Sequence, residues 1–212
     1  MNTSVLRPME KTAQKLIQAS LPKAMSYTAY RVLVTQLAEN GKSTGPEQTE
    51  ALAEYTRLND RRMRRWDKTL KFSDEALEVI SKFDKKTTWL VLTESWCGDA
   101  APSLPVMNKI AELNPAISLI ILLRDENESL MNCFLTNGGK SIPKLIAIDE
   151  QTEKVIGEWG PRPKNATDLV EANKKEHGEI TAEFKQKLQL WYNKDKGQSI
   201  LEDFLSGLLL LK

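Results

Sequence analysis

The chain has 212 residues, 41% hydrophobic and 28% charged, with 10 glycines and 9 prolines; this balance excludes collagen-like, low-complexity and wholly disordered chains and predicts a packed core. Thirty basic side chains stand against 29 acidic ones, for a net charge of +1, so no overall field draws the chain to nucleic acid or to an anionic membrane, and neither is expected as a partner.

In chain order, Met1 to Ser20 carries Arg7, Glu10, Lys11 and Lys15 and lacks the unbroken apolar stretch of a secretory signal, which predicts a cytoplasmic protein. The sequons at Asn2, Asn127 and Asn165 then carry no weight. From Lys11 to Phe83 apolar residues recur at helical spacing, Tyr30, Leu33, Val34 and Leu37 and then Leu52, Tyr55, Leu58 and Trp66, and no strand is expected. Pro46, after Gly45 and before Glu47 and Glu50, suits the start of a long amphipathic helix. Its basic cluster, Arg61, Arg62, Arg64 and Arg65, reads as a solvated face. Ser73 followed by Asp74 and Glu75 predicts a capped helix ending near Phe83.

Thr87 to Thr93 (TTWLVLT) is β-branched and apolar, as a buried strand would be, and runs into Trp96-Cys97-Gly98-Asp99-Ala100. A helix follows, with Leu104, Val106, Met107, Ile110 and Leu113 on its apolar face, and Asn114-Pro115 closes it before a second apolar strand, Ile117 to Leu123. This is a βαβ unit with parallel strands, and neither strand alternates cleanly, which predicts a sheet covered on both faces. A short helix is expected from Glu128 to Leu135, a break at Asn137-Gly138-Gly139, and a hairpin of Lys144 to Ile148 with Lys154 to Trp159. From Asn165 the pattern is helical again. The last helix, from Gln198, carries Ile200, Leu201, Phe204, Leu205, Leu208 and Leu209 opposite Glu202 and Asp203, and is expected to dock on the core and not on a membrane surface. No run approaches the roughly 18 apolar residues of a membrane span. The plan is a helical extension over 1–83 packing on an α/β core over 84–163, followed by helices over 164–212.

Two cysteines, Cys97 and Cys133, cannot form a disulfide framework, and with one histidine they are too few for a four-ligand zinc site. Thiol chemistry or inert packing remains, with no metal and no cofactor called for. Gly139-Lys140-Ser141 and Gly41-Lys42-Ser43 fail as phosphate loops, because Phe134 and Gln36 stand where the leading glycine belongs. His177 and Arg124 read as solvated surface residues, and Cys133, beside Phe134, as a buried structural thiol.

Trp96-Cys97-Gly98 at a strand-to-helix junction, with Ser141-Ile142-Pro143 ahead of a later strand, resembles the thioredoxin superfamily over roughly Thr87 to Gly160. The resemblance implies a thioredoxin-like central sheet flanked by helices and a cis Ile142-Pro143 bond facing the cysteine. Two positions depart from it. Ala100 stands where the second cysteine belongs, and Val91 where the family carries a buried acid, so a dithiol cycle at this motif is excluded.

The chemistry expected of the remaining residues follows from their positions. Cys97, at a helix start, has unpaired N–H groups and the positive end of the helix dipole beside it, and its pKa is expected to fall modestly even though Asp99, a solvated carboxylate on this reading, opposes the shift. Trp96 would shield one side of the sulfur, Gly98 would let a partner backbone approach, and Ile142 with Pro143 would present an edge for an extended substrate. The expected function is a single-cysteine thiol redox protein forming mixed disulfides with protein or low-molecular-weight thiols, resolved by an external thiol. The rival is a redox-inactive binding module of the same fold.

Overall fold

The computed structural model describes residues 8–210; Arg7, the sequon at Asn2 and Leu211 lie outside them. Five strands, β1 (Met25–Ser26), β2 (Thr87–Thr93), β3 (Ile117–Leu123), β4 (Lys144–Asp149) and β5 (Val155–Trp159), form one sheet in the order β1-β3-β2-β4-β5. β2 and β3 are parallel, with Thr87 opposite Ile117 and Thr93 opposite Leu123. β4 runs antiparallel to β2, and β5 closes a hairpin on β4. This is the mixed α/β architecture of the thioredoxin-like fold. No helix among the described residues is long and apolar enough to cross a membrane.

The helices are α1 (Pro8–Ser20), α2 (Tyr27–Glu39), α3 (Glu50–Thr69), α4 (Asp74–Lys82), α5 (Ala100–Leu113), α6 (Glu128–Met131), α7 (Lys164–His177), α8 (Ala182–Asp195) and α9 (Gln198–Ser206). Four of them start on a side-chain cap: Ser26, Thr49, Ser73 and Thr181 each accept from a backbone N–H three residues on, which satisfies a donor that the helix itself leaves unpaired. The cap at Thr49 corrects the expected helix start at Pro46. Residues 43–48 instead form a turn in which the Gln48 amide bonds Ser43 N, Ser43 O and Gly45 O.

Two further differences have local causes. β1 was not anticipated because two residues are too few to show a period; Met25 and Ser26 pair with Ile121 and Ile120 and cover the β3 edge. The short helix after β3 ends at Met131, because Cys133 and Phe134 bond the carbonyls three residues back and tighten the chain into a turn.

The register decides what each face buries. Val91 lies opposite Leu145, and Leu145 opposite Trp159, so these three share a face with Trp89, while Leu90, Leu92 and Ile146 point the other way. Trp89, Leu90, Val91, Leu92, Leu145 and Ile146 are at most 1% exposed, so both faces are covered. α9 seals the first face: the Phe204 ring lies 5.1 Å from both Trp89 and Trp159, and the Trp159 indole N–H donates to Asp203 at 2.9 Å. Arg61, Arg64 and Arg65 of α3 are exposed and Arg62 half-buried, with Glu54 and Asp60 as partners of Arg61 and Arg64. The hydrophobic cluster runs from Ala13 of α1 to Leu209 near the C-terminal end, so arms and sheet share one core.

Phe204 is therefore expected to be the side chain through which the C-terminal arm contributes most to stability. Phe204→Ala should lower unfolding free energy by about 3–5 kcal/mol, read as a lower denaturant midpoint at unchanged slope; a change below about 1 kcal/mol would show that α9 docks without this ring.

Candidate functional site

β2 ends at Thr93, and residues 94–99 cross to α5 as a loop that the N-terminal helices hold in place. Ser95 is its anchor. Its Oγ accepts from Thr44 N at 2.9 Å and lies 2.8 Å from Thr56 Oγ1, its N–H donates to Thr44 Oγ1 at 2.8 Å, and its carbonyl accepts from Asn59 Nδ2 at 2.9 Å. Thr44, Thr56, Asn59 and Ser95 are all buried, and a buried polar set this fully paired fixes a backbone more tightly than apolar contact would. Sequence inspection missed it because hydroxyls and an amide scattered over some fifty residues carry no pattern.

Cys97 sits at the centre of the loop, 7% exposed and unpaired in any disulfide. Its Sγ donates to the Ile142 carbonyl at 3.2 Å, which lies in the segment ahead of β4. The Ile142–Pro143 peptide is cis, and Pro143 is buried. Burial pushes the Cys97 thiol up to about 12, and the Asp99 charge pushes the same way; the N–H groups of Ala100 and Asp99 and the Arg162 guanidinium favour the thiolate and are outweighed. The expected modest lowering is thereby corrected. The helix-start donors are present, but taking a thiolate out of water costs more than they return, and the S–H bond to Ile142 O adds to the preference for the protonated form.

Asp99 carries a second correction, since it is not solvated but 8% exposed. It occupies the N-cap of α5 yet its side chain makes no cap bond. Instead Oδ1 accepts from the Tyr192 hydroxyl of α8 at 3.0 Å, and Oδ2 lies 2.8 Å from Arg162 Nε, an ion pair off hydrogen-bond alignment. Burial raises its carboxyl above the usual range, opposed by Arg162 and Tyr192. The next contact is at Gly98, whose carbonyl accepts from Gln189 Nε2 at 3.0 Å.

The rest of the neighbourhood is closely fitted. Trp96 is half-buried, with the Arg124 guanidinium 5.0 Å from its ring centroid; Arg124 is also engaged by Asp125 at 2.7 Å and by the Lys140 carbonyl at 3.3 Å. Gly160, at φ +114°, packs so closely that a Cβ there would lie 2.1 Å from Pro143 O, so only glycine fits behind the proline. Glu94 is fully buried, with Oε1 accepting from Asp125 N at 2.8 Å and Oε2 lacking a hydrogen bond; burial raises this carboxyl too. The buried Tyr30 phenol is raised far above its ordinary range, by burial first and then by the charges of Cys97 and Glu94. Cys133 is half-buried, its Sγ 3.7 Å from Ser129 O, and His177 lies on the surface at the end of α7. The structure thus brings Trp96, Cys97, Gly98, Asp99, Ile142 and Pro143 together and adds Tyr30, Glu94, Arg162, Gln189 and Tyr192. Of these, Glu94 alone lay within reach of the motif in sequence.

Compared with known proteins, residues 45–178 match a family model described as Thioredoxin. Two solved structures are similar in fold. One is an HIV epitope-scaffold, at 18% identity and TM-score 0.53. The other is a protein of unknown function from Pseudomonas aeruginosa, at 17% identity and TM-score 0.51. Each match covers 86% of this chain and 96% of the other. Among curated proteins there is no match.

With Cys133 replaced by Ala, the pH profile of iodoacetamide alkylation reports Cys97 alone. Ionisation near 12 is expected for the wild-type site, and Asp99→Asn, which removes a like charge, is expected to move the profile to lower pH, with roughly tenfold more thiolate per unit moved; an upward move would reject the assignment. A thiol raised in the folded state is deprotonated first in the unfolded chain, so it costs stability as pH climbs above about 8.5. Wild-type stability should accordingly fall more steeply than that of Cys97→Ala between there and about 12.

Proposed function

We propose that this chain, which belongs to the thioredoxin family, uses Cys97 as a single-thiol nucleophile toward disulfides of proteins or low-molecular-weight thiols. The supporting observation is the placement of the sulfur, 3.2 Å from the carbonyl that precedes Pro143 and beside the N–H groups opening α5. In the first step the Cys97 thiolate attacks one sulfur of a disulfide, forming a mixed disulfide and expelling the other sulfur as a thiolate. Ala100, 2% exposed and without a thiol, cannot resolve that intermediate, so an external thiolate attacks the substrate sulfur, forms a new disulfide with it and returns Cys97. Substrate backbone would meet the loop at Gly98 and at the Ile142–Pro143 edge, while Trp96 flanks the sulfur.

A second reading draws on the burial of Cys97 and its thiol near 12: a module that keeps the groove for an extended segment and carries out no chemistry. Capture separates the two. In the Cys133→Ala background, Cys97 is expected to trap partners that are released by reductant, and Cys97→Ser to trap none in that way. Equal retention by both proteins, insensitive to reductant, would leave the module reading standing and end the nucleophile reading.

A further inference from the structure

We propose that α8 is a displaceable cap over the Cys97 loop, fastened through Gln189 and Tyr192, and that Cys97 reacts only from the state in which this helix has lifted. The proposal rests on the nucleophile reading above and adds its regulation.

The fastening is direct. Gln189 Nε2 donates to the Gly98 carbonyl at 3.0 Å, and a Cβ on Gly98 would touch that nitrogen at 3.4 Å, so the helix occupies the backbone group that an incoming partner would have to meet. One turn further on, the Tyr192 hydroxyl donates to Asp99 at 3.0 Å. Both contacts fall on the two residues that follow Cys97, which is itself 7% exposed.

The helix is built to move as a unit. Left-handed residues interrupt the chain on either side: Gly178 at φ +79° before it, Lys196 at φ +55° and Gly197 at φ +79° after it. The two ends are not equivalent. A Cβ at Gly178 would meet open space, whereas one at Gly197 would press on Val106, Leu70 and Trp66 at 3.1 to 3.4 Å. The C-terminal end is therefore the pivot, and the N-terminal end, held by the half-buried Ile180 and Phe184, is the one that swings.

α8 is also thinly held. Leu188 and Tyr192 are its buried residues, Phe184 and Trp191 are half-buried, and Leu190 is 67% exposed. Lys185 over the Tyr55 ring at 5.8 Å and Asn193 to Arg65 lie near the surface, and its remaining tie, Asp195 accepting from Ser199 N and Oγ, sits at the pivot end. α9, by contrast, buries Ser199, Ile200, Leu201 and Phe204. Sparse apolar burial marks the low end of local stability, from which moving elements are drawn. The family-matched residues end at 178, so the cap lies outside the matched part of the chain.

The test uses the full chain in the Cys133→Ala background. Gln189→Ala removes one hydrogen bond and no titrating group, so at fixed pH iodoacetamide should modify Cys97 about two- to tenfold faster, and the midpoint of the pH profile should move down if it moves, because the lifted helix readmits water. Leu190→Ala, on the outward side, should leave the rate unchanged. In the wild-type chain, amides of 182–195 should exchange with deuterium faster than those of β2 and α5. An unaltered rate in a natively folded Gln189→Ala protein, or α8 amides protected as long as those of β2, overturns the cap. Faster alkylation without any mixed disulfide to oxidised 2-mercaptoethanol would keep the cap and remove the nucleophile reading instead.

Discussion

The local architecture turns on where one carboxylate points. Asp99 stands at the N-cap of α5, where its side chain would ordinarily accept from the helix's own first N–H groups, yet it turns away to Tyr192 and Arg162. That turn leaves the N–H groups of Asp99 and Ala100 facing the Cys97 sulfur. It also draws two distant pieces of chain, the loop after β5 and helix α8, onto the start of α5. A buried carboxylate is costly unless paired and hydrogen-bonded; Arg162 and Tyr192 meet both needs, and removing either would leave charge stranded beside the thiol.

A complementary constraint acts from the other end of the loop. Ser95 is fastened to Thr44, Thr56 and Asn59, so the segment between Ser95 and Asp99 is clamped by the N-terminal helices at one end and by the C-terminal arm at the other. The helical arms are thus part of the site's construction. What they share is burial: each arm brings its own polar partners, and together they exclude water from the sulfur.

The sheet was legible because its signals are local. TTWLVLT and ISLIILL are continuous apolar runs, and the observed bounds of β2 and β3 coincide with them; the Ser73 cap of α4 is equally local. The elements that were misplaced depend on contacts that a pattern does not contain. β1 exists because β3 offers an edge, and α3 starts late because Gln48 folds back on Ser43 and Gly45. The motif itself could be found at Trp96-Cys97-Gly98, but the direction of the Cys97 shift could not, because it is set first by burial, which packing between distant parts of the chain supplies and no local pattern contains. A helix start seen in sequence argues for a stabilised thiolate; the same helix start under a packed arm argues for a thiol.

Val91 and Ala100 acquire their meaning from the same geometry. Val91 lies in register with Leu145 and Trp159 on the face that Phe204 closes, so a carboxyl at that position would be desolvated with no partner in the seam. Two of the buried carboxylates among the described residues, Glu94 and Asp99, lie instead on either side of Cys97 in the chain. The Asp99 charge favours the protonated thiol, and the guanidinium that opposes it, Arg162, is already paired with Asp99. A change in the charge of one neighbour therefore moves the thiol less than readmitting water does, since desolvation is the leading cause of its shift. The protonation of Cys97 is accordingly governed by burial, and the arms contribute to that burial.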